Sequence, residues 1–245
     1  MKNIMKKILP YSLRRKIKRY VLLRQEMEIQ GVLDELDPDA KIIFDIGANV
    51  GNVSITLIET FQGAIIYSFE PNHKTFELLK QNLSTWCEKG RSKLFKLGFY
   101  DEAREGRLNI TNFNGANSML DLTQEYKTMN PEIRLIGSES IDLIRLDDFV
   151  KQNNIKHIDL VKIDVEGVEK QVLLGGREAF TNIVDAVLME ISFVRTPRRS
   201  GEYIELLKLM HEYGFAPAKI YDLAHSTGSV DWKLAQFDCV FKKII

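Results

Sequence analysis

The sequence predicts an α/β domain built on a mostly parallel, doubly wound sheet of seven strands with one reversed strand. Three observations predict it. Short apolar runs alternate with segments of helical hydrophobic period, which makes βα units and a parallel sheet. The last two strand-like runs have no helix between them, so they must be antiparallel to each other. The alternation lapses over residues 100–140, where Gly106, Asn112, Asn114, Gly115, Asn117, Pro131 and Gly137 mark an irregular insertion after the third strand.

Taken in order, residues 1–38 read as a basic helical arm and 39–245 as the sheet-bearing domain. The arm places Leu13, Ile17 and Val21 on one side, and Asp37-Pro38 ends it. Residues 41–46 are an apolar run closed by Gly47, a buried strand. Residues 52–61 carry Val53, Leu57 and Phe61 at helical spacing. Residues 64–69 are a second strand, and 73–83 a helix with Phe76, Leu79 and Leu83 on one face. Residues 93–99 are a third strand. Within the insertion, 107–111 and 140–146 read as short strands, and 147–153 as a short helix. Residues 158–163 make the fourth strand of the sheet, followed by a helix over 168–180, a fifth strand over 184–191 and a helix over 201–213. Residues 215–222 and 234–242 close the chain.

The chain has 245 residues, 44% hydrophobic and 28% charged, enough for one large core. Nine of its 34 basic residues precede Gln25 with no acid among them, which leaves 25 against 34 acids, a net of −9. An acidic body with a basic arm argues against nucleic acid as a partner. The arm's apolar stripe either packs on the core or lies with its charges on an anionic membrane surface. Cys87 and Cys239 match neither zinc spacing nor a disulfide framework, which suits a reducing cytoplasm. No run approaches the roughly 20 apolar residues of a membrane span, and no apolar segment follows the basic N-terminus as in a secretory signal. The expectation is a cytoplasmic protein, free or peripheral to the inner face of the membrane.

In open α/β sheets ligands bind beyond the carboxyl ends of the strands. The first strand delivers Asp45, Gly47, Asn49 and Gly51 to that edge. The spacing Gly47-x-x-x-Gly51 is not the dinucleotide fingerprint. A carboxylate at Asp45 repels a pyrophosphate but suits a ligand bearing an ammonium and a sulfonium, which favours S-adenosylmethionine over NAD. A purely structural turn is the alternative. The second strand delivers Glu70, 19 residues after Gly51, where a carboxylate accepts two hydrogen bonds from a ribose diol; a solvated surface glutamate is the alternative.

The fourth strand delivers Asp164 and Glu166, two apart and so on one side. They suit orienting a cofactor, polarising an acceptor hydroxyl or holding a cation, unless they merely decorate a helix N-terminus. Glu190 ends an otherwise apolar strand, where burial without a partner is costly, so it is expected to face the cleft. A hydroxyl acceptor benefits from a base, and Asp164, Glu166 and Glu190 are the catalytic candidates. Among the histidines, His157 belongs at the opposite edge, His211 in solvent and His73 near a nucleoside; His225 is a weaker candidate base. No Cys/His cluster supports a metal, and none is assigned. Asn117 and Ser118 in the insertion suit a polar acceptor, unless the insertion is only a cap. Arg198, in the basic loop 195–199, suits a phosphate or an acidic sugar, unless that loop is simply solvated.

The segments FDIGANVG (44–51), YSFEPN (67–72), NSML (117–120), IRLDDF (144–149) and IDLVKIDVEGVEKQVLLGG (158–176) resemble the FkbM family of methyltransferases from about residue 41 to 193. The resemblance implies a Rossmann-like class I methyltransferase fold, S-adenosyl-L-methionine as cofactor, and O-methylation of a hydroxyl on a sugar, glycan or related small molecule. It implies that Asp45, Gly47, Asn49 and Gly51 hold the methionine part and Glu70 the ribose, and it aligns Asp164 and Glu166 with the family's fourth-strand motif. Met119 departs from the family, which often has a small residue there. An N-methyltransferase of the same fold remains an alternative. A non-catalytic, cofactor-binding membrane-surface adaptor is another, against which the intact acids at four strand ends weigh.

Overall fold

A computed structural model describes residues 36–122, 127, 131–192, 203–225 and 234–244. The basic arm up to residue 35, the 195–199 loop with Arg198, and the side chain of His225 lie outside the described residues. In chain order the strands are β1 (Ile42–Ile46), β2 (Ile65–Phe69), β3 (Ser92–Phe95), β4 (Gly98–Phe99), β5 (Arg104–Thr111), β6 (Leu135–Ile144), β7 (Ile158–Ile163), β8 (Val184–Ser192), β9 (Phe215–His225) and β10 (Leu234–Lys243). The helices are α1 (Asn52–Thr60), α2 (His73–Glu88), α3 (Leu146–Gln152), α4 (Glu169–Gly175), α5 (Arg177–Asn182) and α6 (Tyr203–Glu212).

Seven strands form one sheet in the order β3-β2-β1-β7-β8-β10-β9. β10 runs antiparallel to both β8 and β9, while the other pairings are parallel. The central parallel strands β1, β2 and β7 are buried on both faces, so their residues read as nearly continuous apolar runs. In β1, Ile43 and Phe44 point to opposite sides and both are fully buried. Phe44 joins an aromatic cluster in which Phe69 lies 5.1 Å from Phe44, 4.7 Å from Phe99 and 5.0 Å from Phe149. Ile43 joins Leu57, Ile58, Ile66, Leu79 and Leu83 beneath α1 and α2. Each such fully buried side chain contributes about 1.5–3 kcal/mol. The Asn72 side chain caps α2 by accepting from the Thr75 N–H at 2.9 Å. α2 runs past the expected residue 83 to Glu88 and stops before Gly90, whose φ is 70°.

Three expectations change. Residues 93–99 are not one strand: β3 pairs with β2, and β4 leaves to pair with β6 in a separate sheet of order β4-β6-β5. Gly98 permits the departure, because a Cβ there would lie 2.8 Å from Leu143 Cδ2. The insertion is regular: β5 and β6 pair antiparallel from Arg104↔Leu143 to Thr111↔Leu135. One face packs through Leu108, Ile141 and Leu143, and the polar Asn109 and Thr111 are buried as well. The helix expected over 168–180 is two, broken at Gly175-Gly176, because a Cβ on Gly175 would meet the Tyr100 carbonyl oxygen at 1.9 Å.

Candidate active site

The loop after β1 is built to approach other backbone closely. Gly47 has φ of 79°, and a Cβ there would lie 1.8 Å from the Asp164 carbonyl oxygen, so no side chain fits. The N–H groups of Gly47 and Ala48 both donate to the Phe69 carbonyl at 3.0 Å, and the Asp164 N–H donates to the Ile46 carbonyl at 3.0 Å. The ends of β1, β2 and β7 therefore form one rigid rim. Gly51, with φ of 90°, sits at the start of α1 under Leu79 and Leu83.

Glu70 stands at the centre of this rim and is 8% exposed. Its Oε2 accepts the Asn49 N–H at 3.0 Å and its Oε1 the Asn72 N–H at 2.9 Å. Each carboxylate oxygen keeps a second lone pair for a ligand. Burial pushes the carboxyl up from its ordinary 4.5 to about 7; the two N–H donors and the Lys162 charge pull against that rise, and Asp45 adds to it. The Asn49 side-chain Oδ1 is buried and has no hydrogen-bond partner among the described residues.

Asp45 is fully buried beneath the rim. Its Oδ2 accepts from the Ser54 hydroxyl at 2.5 Å, and its Oδ1 lies 3.2 Å from Lys162 Nζ. The same ammonium lies 3.4 Å from Asp164 Oδ2 and donates to the Gly47 carbonyl at 3.2 Å.

Above the rim lies a cleft. The sheet edge supplies Gly47, Asn49, Glu70, Asp164 and Glu166 to it; the small sheet and its turn supply Asn114, Asn117 and Met119 opposite. Apolar side chains, including Phe69, Leu97 and Val168, complete the walls. Among the described lining residues there are three carboxylates and no lysine or arginine. Asn117 Oδ1 accepts the Thr111 N–H at 2.9 Å. Ser118 is fully buried behind the wall: its hydroxyl donates to the Glu166 carbonyl at 2.7 Å and accepts from the Leu120 N–H at 3.1 Å. Glu190 lies one strand further on, in a recess of about 330 Å³ that also takes in Asp164, Lys162 and Asp238; its Oε2 accepts from Gln236 Nε2 at 2.7 Å. The structure thus brings Gly47, Asn49, Glu70, Asn117, Asp164 and Glu166 to one cleft. It sets Asp45, Gly51 and Ser118 behind it and Glu190 beside it. His157 sits at the opposite edge, paired with Asp185 at 3.1 Å and Asp159 at 3.5 Å.

Sequence reasoning passed over Lys162 and Glu139. The signal for Lys162 was present: a lysine inside the apolar run of β7 is almost never fully buried unless it is paired. Glu139 carried none, because its partners Asn72 and His73 lie 67 and 66 residues away.

The cleft's chemistry suits a nucleoside ligand that carries positive charge. Glu70 and the unpaired Asn49 Oδ1 offer acceptors for O–H and N–H donors, and the walls are apolar. Among the described lining residues, no cation is available to a pyrophosphate.

Residues 45–217 match the Methyltransferase FkbM domain. The chain is 27% identical over 167 residues to the 2-O-methyltransferase NoeI of Sinorhizobium fredii, spanning 65% of each. It is 25% identical over 190 residues to the hexuronic acid methyltransferase AglP of Haloferax volcanii, spanning 78% of this chain and 72% of that one. The crystal structure of a methyltransferase FkbM from Methylobacillus flagellatus KT superposes with a TM-score of 0.50 at 16% identity, over 82% of this chain and 44% of that one. The sheet order and this superposition are those of a Rossmann-like class I methyltransferase. Since the domain match runs from the Asp45 of the first loop through the last crossover helix, the chain belongs to the FkbM methyltransferase family.

Proposed function

We propose that the chain is an S-adenosyl-L-methionine-dependent O-methyltransferase acting on a hydroxyl of a sugar, glycan or related small molecule. The cleft carries the proposal: three carboxylates without a lysine or arginine among its described lining residues select a cationic ligand over a phosphorylated one. The names of NoeI and AglP support oxygen and sugar as the acceptor class.

S-Adenosylmethionine, when bound, supplies an electrophilic methyl group on a positively charged sulfur. Glu70 accepts the ribose hydroxyls, and Asn49 with the backbone of the Gly47–Gly51 loop holds the methionine part. Asp45 acts from beneath, through Lys162. Asn117 and Met119 face the acceptor from the insertion, and Ser118 holds the Glu166 backbone. With the cofactor held there, the acceptor oxygen would take the methyl group as the carbon–sulfur bond broke to a neutral thioether, and Asp164 and Glu166 on the rim, with Glu190 beside it, would be the carboxylates placed to accept the hydroxyl proton. Much of the rate comes from holding these atoms in line.

The test is incubation with methyl-labelled S-adenosylmethionine and separate panels of neutral sugars, hexuronic acids and amines. Label appearing on a sugar oxygen, with equal S-adenosylhomocysteine, supports the proposal. A folded protein that fails to bind S-adenosylhomocysteine by calorimetry refutes the cofactor, and transfer confined to amines refutes the O-methyl assignment. The basic arm and Arg198 extend the proposal to anionic surfaces and acidic sugars. No helix among the described residues is long and apolar enough to cross a membrane. Salt-sensitive co-sedimentation with anionic vesicles, lost in a chain starting at Asp37, is the expected sign of a peripheral arm.

A further inference from the structure

We infer that Lys162 is a positioning residue, whose ammonium holds the Asp164 carboxylate as an oriented anion at the mouth of the cleft while neutralising Asp45 beneath it. This rests on the reading of Asp164 as a group that faces the acceptor.

Three contacts converge on Lys162 Nζ: Asp45 Oδ1 at 3.2 Å, the Gly47 carbonyl at 3.2 Å and Asp164 Oδ2 at 3.4 Å. The Lys162 side chain is 8% exposed and Asp45 is fully buried, whereas the Asp164 side chain is 49% exposed. One cation thus joins a carboxylate that solvent never reaches to one that stands at the boundary of both the main cleft and the Glu190 recess. Asp45 is itself fastened to Ser54, whose hydroxyl lies 2.8 Å from that of Ser68, so the lysine has a rigid anchor on its inner side. The ammonium is therefore fixed from its inner side, and Asp164 pairs with it from the cleft side.

The electrostatic setting requires such a cation. The groups that surround Asp164 are mostly acidic: Asp45 on β1, Glu70 at the end of β2, Glu166 after β7, Glu190 on β8 and Asp238 on β10. Like charges in such a cluster drive a carboxylate toward its neutral form, and a neutral acid accepts no proton from an acceptor. An opposite charge within about 4–6 Å reverses this, lowering a carboxyl's titration midpoint by about 1–3 pH units. A lysine that only filled space or only neutralised Asp45 has no such effect on Asp164.

The test is a carbon-13 NMR titration of the Asp164 side-chain carboxyl in the full chain, its signal assigned by loss in Asp164→Asn. Lys162→Met alone leaves Asp45 buried without its cation, so the comparison uses Asp45→Asn against Asp45→Asn/Lys162→Met, with thermal melts to establish folding. The expected result is a midpoint about one pH unit or more higher in the double variant, and a midpoint near the wild-type value in Lys162→Arg. Equal midpoints in the single and double variants overturn the inference. Methyl transfer to glucuronic acid, as the probe acceptor, is measured in parallel; its absence in the wild type counts against the functional reading and leaves the titration to decide the role of Lys162.

Discussion

Glu139 ties the small sheet to the helix that follows Glu70. Its Oε1 accepts the His73 N–H at 2.8 Å, and its Oε2 accepts from the Asn72 side-chain amide at 2.7 Å. Asn72 in turn donates its backbone N–H to Glu70. This carboxylate therefore connects the insertion to the Glu70 side of the cleft at a helix N-terminus, where negative charge is favoured. Glu139→Ala is expected to cost about 0.5–2 kcal/mol, as loss of a cap does. A thermal melt reads this, and an unchanged melting temperature means that the contact holds nothing.

Glu70 makes stability depend on pH. Its folded-state carboxyl titrates at about 7, above the ordinary 4.5. The folded chain then binds the proton more tightly than the unfolded chain. That stabilising contribution is fully present below 4.5 and is lost as the pH rises through about 7. Glu70→Gln, which stays neutral, is expected to leave stability near pH 5 little changed and to raise it above pH 8 by roughly 1–3 kcal/mol in the ligand-free protein. The same variant is expected to bind S-adenosylhomocysteine more weakly by about 1.5–3 kcal/mol. Denaturant unfolding at the two pH values and calorimetric titration check both.

Asp164→Asn is expected to lower the turnover number by about 10²–10⁴ while leaving S-adenosylhomocysteine affinity within a few-fold. Glu166→Gln is expected to lower it less, and Glu190→Gln least, since Glu190 lies in the neighbouring recess. Single-turnover methyl transfer ranks the three, and full activity in Asp164→Asn removes it from the reaction.

Asn117→Ala and Ser118→Ala should separate. Ser118 is buried, and losing its hydroxyl leaves the Glu166 carbonyl and the Leu120 N–H without that partner, at a cost of about 1–3 kcal/mol in stability. Asn117 lines the cleft, and its loss is expected to raise the acceptor's Michaelis constant more than it lowers the melting temperature. If both variants change only stability, the insertion wall does not touch the acceptor.

The large sheet was legible because its strands are buried on both faces and announce themselves as apolar runs. Residues 158–163 bound β7 identically in sequence and structure. The loop glycines were legible too, because Gly47 and Gly51 adopt backbone that other residues resist. Of the small sheet only the stretches 107–111 and 140–146 were, and they fall short of the full β5 and β6. In β5 the buried Gly106, Leu108, Asn109 and Thr111 include two polar residues and a glycine, so no clean alternation reaches the reader. Asp45 was read as facing the ligand; its burial against Lys162 follows from the register Asp45↔Lys162 between β1 and β7, which pairing sets and local pattern does not.

The small sheet is held at its root. β4 runs beside the end of β6, the Tyr100 N–H donates to the Ile144 carbonyl, and the Tyr100 carbonyl abuts Gly175. Beyond the last pair, Thr111↔Leu135, the chain makes the turn that delivers Asn114, Asn117 and Met119 to the cleft. Ser118 in that connection is a fixed point, bonded to the Asn109 backbone and to the Glu166 carbonyl, whereas connecting segments as a class tolerate changes far better than the elements they join. On the proposed reading, exchanging residues 112–134 between family members with Ser118 kept is expected to change the acceptor while the β-ladder keeps its register.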